Sequence, residues 1–213
     1  MATALIVGST GLIGNQLLQL LLDDNYYTSV VAIARSPFSF SHPKLKTVIA
    51  DAATLASHKN ELKADDVFCC LGTTIKKAKS KEAFREIDFQ YPLAVAELTK
   101  QQGALQYVLV SALGAKKTSS VFYNKVKGEV EQAIEGIGFK SYHIVRPSLL
   151  LGPRTEKREG EQSMQKVFSA IDFLIPKKYK AIQSIKVARA MVAFAKQNAS
   201  GNFIHESHEL QSF

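Results

Sequence analysis

The sequence predicts a doubly wound α/β domain, a parallel sheet covered by helices on both faces. Three observations predict it. Short apolar, β-branched runs alternate with longer stretches of helical periodicity from the first residues to about residue 147, the pattern of consecutive βαβ units. Those short runs are apolar enough for strands buried on both faces, and right-handed crossovers leave the doubly wound arrangement as the simplest topology. Finally, 213 residues with 46% hydrophobic and 22% charged side chains suffice for one domain with a continuous core.

Thr3–Val7 is an apolar run ending at Gly8 and reads as the first strand. Leu12–Leu22 carries leucine and isoleucine at helical spacing and stops at Asp23-Asp24-Asn25. Ser29–Ala34, Leu45–Ala50 and Asp66–Leu71 follow as strands, the last running into Gly72-Thr73-Thr74. After a lysine-rich loop comes an amphipathic helix from about Lys81 to Gln101. Pro92, lacking an N–H, should kink that helix or start a new one. Tyr107–Val110 is the fifth strand and ends at Ser111. Ser119–Ile134 is helical, stopped by Gly136 and Gly138. Tyr142–Val145 is the sixth strand, closed by Arg146-Pro147. Beyond it lie a charged loop over Gly152–Glu161, helices around Ser163–Leu174 and Ser184–Gln197, and an apolar run at Asn202–His205. The expected organisation is a single domain over 1–213. Residues 1–147 form its core, and 148–213, too short to fold alone, form a small substrate-side or lid region against the sheet.

The net charge of +8 admits nucleic acid, an acidic membrane or a phosphorylated small molecule as partner. The lysines are dispersed, however, in groups such as Lys76, Lys77, Lys79 and Lys81, or Lys116 and Lys117, without interleaved aromatic residues. A nucleic-acid partner is therefore not expected. Cys69 and Cys70 are adjacent, which disfavours an ordinary disulfide and points to a reducing compartment, the cytoplasm. The first residues show no signal-peptide pattern, and no apolar stretch is long enough for membrane insertion. The five histidines lack ligand spacing, so no metal is expected. Neither a nucleophile elbow nor a Walker pattern occurs.

The turn between first strand and first helix reads Gly8-Ser9-Thr10-Gly11-Leu12-Ile13-Gly14. Gly8 permits the tight turn, Gly11 a close backbone approach to a pyrophosphate, and Gly14 close packing of helix on sheet. The free amides and positive dipole end of the helix attract the anion, making Gly8, Thr10, Gly11, Leu12, Ile13 and Gly14 candidate dinucleotide contacts. At the end of the second strand stands Arg35-Ser36, where an NAD-binding chain usually places an acidic residue. A guanidinium fork and a hydroxyl suit a ribose 2′-phosphate, so NADP(H) is expected in preference to NAD(H). Asp51, after the third strand, is placed to meet the adenine amino group or to cap the following segment.

Tyr123-Asn124-Lys125-Val126-Lys127 places a tyrosine and a lysine one helical turn apart on the same face. The ammonium can stabilise a phenolate, which makes the phenol a usable proton donor to a carbonyl that receives hydride. Ser111, at the end of the preceding strand, is the third candidate catalytic residue, positioned for the same substrate oxygen.

The chain resembles the short-chain dehydrogenase/reductase superfamily, in particular the atypical branch that includes the Tat-interacting-protein-like oxidoreductases. Gly8–Gly14, the segment Val67–Thr74 (V-F-C-C-L-G-T-T), Ser111–Ala115, Tyr123–Glu129 (Y-N-K-V-K-G-E) and Arg146-Pro147-Ser148 carry the resemblance. It implies a Rossmann fold with Leu71, Gly72 and Thr73 along the adenosine and pyrophosphate side. Lys127 would also bond the nicotinamide ribose, Pro147 and Ser148 would border the nicotinamide, and Cys69 and Cys70 would serve in packing. Where many members carry a relay asparagine on the central helix, this chain has Asp88, read from sequence as a substitution or as a solvent-facing carboxylate. The expected function is NADPH-dependent reduction of a small carbonyl or enone. A cofactor-sensing protein with little turnover is the alternative, and a sugar-nucleotide epimerase or dehydratase a weaker one, for want of a large C-terminal region. The partner is a small molecule, and the chain is a monomer or homodimer.

Overall fold

The computed structural model describes residues 2–152 and 176–213. The first βα unit is β1 (Ala2–Val7) and α1 (Leu12–Asp23), followed by β2 (Tyr27–Ala34), β3 (Leu45–Ile49), a 3₁₀ turn over Leu55–Glu61, and β4 (Asp66–Cys69). Then come α2 (Ile75–Ala78), α3 (Lys81–Arg85), a π turn over Glu86–Gln90, α4 (Tyr91–Gln101), β5 (Gln106–Val110), α5 (Phe122–Glu135) and β6 (Ser141–Arg146). The remainder is β7 (Leu150–Leu151), a 3₁₀ turn over Lys177–Tyr179, β8 (Ile182–Gln183), α6 (Ser184–Lys196), β9 (Gly201–Glu206) and α7 (Ser207–Leu210).

Seven strands form one parallel sheet in the order β3-β2-β1-β4-β5-β6-β9. Period-two alternation divides its side chains between two cores. Ala4 and Ile6 of β1 face Leu17, Leu18 and Leu21 of α1, and Val187, Met191 and Phe194 of α6. Leu5 and Val7 face Val95 and Ala96 of α4, and Val130 and Ile134 of α5. The doubly wound sheet expected from the strand–helix alternation is therefore the fold observed.

Two boundaries moved for local reasons, and one helix is modified inside its expected span. β2 begins at Tyr27, two residues early, because the buried Tyr27 hydroxyl donates to Asp66 Oδ2 at 2.8 Å and fixes the start of the strand. α5 begins at Phe122 because Ser119 Oγ accepts the Val121 N–H at 3.1 Å and holds the chain in a turn. The helix expected over Lys81–Gln101 is continuous but contains the π turn. That wider turn precedes Pro92 in the first turn of α4, where its missing amide is tolerated without a break.

The helix expected around Ser163–Leu174, and most of the charged loop before it, lie outside the described residues. The rest of the C-terminal part does more than wall a cleft. β9 adds a seventh strand beside β6, α6 covers α1, and a reciprocal Glu206–Glu209 capping box starts α7. The short β7–β8 ribbon stands beyond the end of β6, with Gly152 against Leu12 and Ser184.

Candidate active site

All strands of the sheet are parallel, so their carboxyl ends share one edge, and the chain departs in opposite directions from β1 and β4. Ligands of such sheets bind at that switch point. The glycine loop leaves β1 there, and Arg35-Ser36, Asp51, Leu71–Thr73, Ser111 and Pro147-Ser148 follow β2, β3, β4, β5 and β6. One edge thus collects every site residue expected from sequence apart from Tyr123 and Lys127, which α5 contributes.

Within the loop the three glycines have different reasons. Gly8 has φ +82°, and a Cβ there would stand 2.6 Å from the Cys70 carbonyl carbon. A Cβ on Gly14 would lie 2.1 Å from the Gly8 carbonyl oxygen, so close packing of helix on loop requires the glycine. On Gly11 it would meet only that same oxygen, at 3.3 Å. Gly11 and Thr10 are exposed, while Ile13 is buried in the core and offers only its backbone outward. The amino end of α1 has neither a side-chain cap nor an acidic residue in its first turn. Ser9 is 1% exposed, and its hydroxyl has no hydrogen-bond partner among the described residues. An uncapped helix end, an orphaned hydroxyl and an open glycine fit a diphosphate.

Arg35 and Ser36 are exposed at the end of β2. Asp51 closes the turn that leads into the 3₁₀ turn, its Oδ1 accepting from Thr54 Oγ1 at 2.8 Å and from the amides of Thr54 and Ala53 at 2.9 and 3.0 Å. These bonds, Thr54's first, hold its carboxyl below the ordinary value. The 3₁₀ turn itself has Thr54 at its cap position and no side-chain cap. Beside this group, burial and then the Asp51 charge push the Tyr91 phenol up to about 12, against the opposing Arg35.

Tyr123, Lys127 and Glu131 follow one another at four-residue spacing on α5. Tyr123 is half-buried, its ring 5.5 Å from that of the buried Phe84 of α3. Lys127 is 3% exposed and Asp88 fully buried, with Nζ 2.8 Å from Asp88 Oδ1. That contact is an ion pair, since Oδ1 has no aligned hydrogen bond, whereas Oδ2 accepts the Thr73 N–H at 2.8 Å. Asp88 is accordingly not the solvent-facing carboxylate that its sequence setting allowed. The π turn aims it inward. Burial draws the Lys127 ammonium towards neutrality, but the Asp88 carboxylate outweighs it and the pKa stands above the ordinary lysine value. A Cβ on Gly72 would stand 3.6 Å from Asp88 Oδ1 and 3.7 Å from Lys127 Nζ, so the loop after β4 lies directly on this pair.

Ser111 is buried, and its hydroxyl donates to Glu131 Oε1. Arg146 grips the same carboxylate through Nε at 3.0 Å and Nη2 at 2.6 Å, and reaches Glu206 at 3.4 Å. Sequence reasoning missed Glu131. The available signal was an acidic residue one turn beyond Lys127 on the face that carries the tyrosine and lysine. Ser148, expected at the nicotinamide border, donates to the Lys180 carbonyl and accepts from Ser207 at 2.8 Å, tying down the β7–β8 ribbon. The Pro147 carbonyl accepts the Leu113 N–H at 3.0 Å and holds the loop after Ser111. Burial pushes both adjacent thiols up, consistent with packing.

Residues 8–198 match the family described as NAD(P)H-binding. Protein HTATIP2 of Rattus norvegicus is 36% identical over 191 residues, 88% of this chain and 78% of that relative. Protein FMP52, mitochondrial, of Debaryomyces hansenii is 35% identical over 160 residues, 74% of this chain and 70% of the relative. Among solved structures, a short chain dehydrogenase family protein from Francisella tularensis superposes with a TM-score of 0.67 at 18% identity, covering 98% of both chains. MoeE5 in complex with UDP-glucose and NAD superposes at 0.73 and 16% identity, covering 95% of this chain and 74% of that one. At those identities the structural likeness concerns the fold.

Proposed function

The chain belongs to the NAD(P)H-binding family, in the atypical short-chain dehydrogenase/reductase-like group with HTATIP2 and FMP52, and on that premise we propose an NADPH-dependent reductase of a small carbonyl or enone. The observation that carries the reading is the half-buried Tyr123 one turn from a charged, buried Lys127 at the carboxyl edge of the sheet. Bound coenzyme supplies the hydride. The amides of Leu12 and Ile13, with the Ser9 hydroxyl, would hold its diphosphate. Thr10, Gly11, Leu71, Gly72 and Thr73 would line that side, and Pro147 and Ser148 would border the nicotinamide. Arg35 and Ser36 would select a 2′-phosphate, and Asp51 would meet the adenine amino group.

In the reducing direction the Tyr123 O–H bond breaks and its proton passes to the substrate oxygen as the carbon accepts hydride. Lys127 steadies the phenolate that forms. Ser111, whose proton is given to Glu131, presents an acceptor, so it orients the phenol or a substrate hydroxyl instead of polarising a carbonyl.

One observation favours the second reading, a cofactor sensor with little turnover. Asp88 already neutralises the lysine on which proton transfer depends. A panel of aldehydes, ketones and enones assayed with NADPH and NADH, with Tyr123→Phe as control, separates the two. Turnover lost by at least about a hundredfold in the variant supports the reductase. Activity that survives the substitution removes Tyr123 from the chemistry, and coenzyme binding without turnover on any substrate supports the sensor.

Among the described residues no helix is long and apolar enough to cross a membrane. The cytoplasm is the compartment we propose, and fractionation tests it against the mitochondrial location in the names of the FMP52 relatives.

A further inference from the structure

The α3–π-turn segment meets α5 through ring contacts at Phe84 and through two ion pairs, Arg85 to Glu129 at 2.5 Å and Asp88 to Lys127 at 2.8 Å. Only the last is fully closed to water, with side chains 0% and 3% exposed. A π turn costs helical hydrogen bonding and recurs where a helix must aim a functional group. Here it delivers Asp88 to a position where the Thr73 amide fixes one oxygen and the other meets the ammonium. Both partners are immobilised.

From this geometry we infer that Asp88 is a positioning residue that cancels the Lys127 charge and so makes Tyr123 costlier to ionise, a weaker proton donor than an unpaired ammonium one turn away would make it. Carboxylate, ammonium and phenol together are electrically neutral, and ionising the half-buried phenol would leave a net negative charge beside a buried ion pair. An uncharged side chain at position 88 would reverse the balance, because phenolate and ammonium alone form a neutral pair. The carboxylate therefore restrains reduction, the direction in which Tyr123 must lose its proton to the substrate oxygen, in keeping with the low-turnover reading.

The remaining titratable and charged groups around the trio leave the balance in place. On α3, Arg85 is spent on Glu129 and Lys81 lies over the Phe122 ring at 5.4 Å. On β4, burial pushes the Cys69 thiol up, and beside it burial keeps the Tyr107 phenol of β5 protonated. Further along α5, Glu131 is held by Arg146. Asp88 is the anion in contact with Lys127.

The functional meaning rests on the reading of Tyr123 as proton donor, but the ionisation can be followed without substrate or coenzyme. Near-ultraviolet tyrosinate absorbance is titrated in the wild type and in Asp88→Asn, each minus its Tyr123→Phe counterpart, so that the difference isolates Tyr123. The expected result is a midpoint about one pH unit lower in Asp88→Asn. Adding Lys127→Met to that variant should abolish the downward shift. An unchanged or higher midpoint in the single variant overturns the inference. Should Asp88→Asn fail to fold by circular dichroism, Lys127→Met is compared with Lys127→Met/Asp88→Asn, which holds no unpaired buried charge. There the midpoint must fall when the carboxylate is removed, and equality contradicts the inference. A protein that shifts as expected yet binds no nicotinamide coenzyme refutes the proposed function while leaving the charge balance standing. One that binds coenzyme without the shift does the opposite.

Discussion

At Gly14 a β-carbon would stand 2.1 Å from the Gly8 carbonyl oxygen, whereas at Gly11 it would meet that oxygen at 3.3 Å and nothing else within 4 Å. The two positions separate packing from recognition. Gly14→Ala should lower unfolding free energy by about 2–3 kcal/mol, because loop or helix must shift. Gly11→Ala should leave stability within about 0.5 kcal/mol yet weaken coenzyme binding about tenfold or more, since its methyl points where a diphosphate would lie. Urea unfolding and coenzyme titration of both variants test the distinction, and equal effects on stability would contradict it. Arg35 is an exposed guanidinium at the end of β2. If it grips a 2′-phosphate, Arg35→Ala should lose an NADPH preference of about tenfold with little change in NADH affinity. A preference that survives the substitution assigns the selectivity elsewhere. These residues were legible in the sequence because they sit in short motifs next to strand ends. Glu131 and Asp88 were not, because their roles depend on partners 15 residues away or more, Arg146 and Thr73.

Among the elements, α5 joins chemistry to architecture: Tyr123 packs on Phe84 and Lys127 pairs with Asp88, while Glu131 receives Ser111 and Arg146. Glu131→Ala leaves the part-buried Arg146 with Glu206 alone and orphans the buried Ser111 hydroxyl, and should cost about 2–3 kcal/mol in urea unfolding, where a surface glutamate would cost almost nothing. The β6–β9 edge adds a pH response. His143 Nδ1 and His205 Nε2 are 3.0 Å apart between the Phe194 and Phe203 rings, and burial first, then the neighbouring His205, lower His143 to about 4. The unfolded chain therefore takes up a proton below about pH 6.5 that the folded chain refuses until about pH 4, so this stability is complete above the upper value and falls on acidification between them. Asp66 acts oppositely. Burial, against hydrogen bonds from Tyr27 and Gln106, raises its carboxyl to about 6, and the fold gains as pH falls towards 4. His143→Leu should remove the first effect and become more stable, relative to wild type, at about pH 5 than at pH 7, by about 2 kcal/mol. A parallel pH profile in the variant would rule out His143 as the source. The elements themselves were readable from periodicity. The π turn was not, because an ordinary helical pattern runs through Glu86–Gln90 and Pro92 marks only its downstream side.

For the molecule as a whole, strand order places the glycine loop of β1 next to the chain leaving β4, and the carboxyl ends of β5 and β6 continue the same edge. The last forty residues were the hardest to read from sequence. β9 is half polar, with Ile204 50% exposed, and its identity as a strand comes from parallel pairing with β6 across the intervening α6. Because the site draws on segments from both halves of the sheet, coenzyme binding should stabilise the entire fold. At about a hundred times Kd the gain is about 2.7 kcal/mol, readable as a rise in Tm. The most direct test of the account is a fluorescence titration of the purified protein with NADPH and with NADH. Saturable enhancement of nicotinamide emission is expected with both, tighter for NADPH and weakened in Gly11→Ala. Absence of binding by either coenzyme would contradict it.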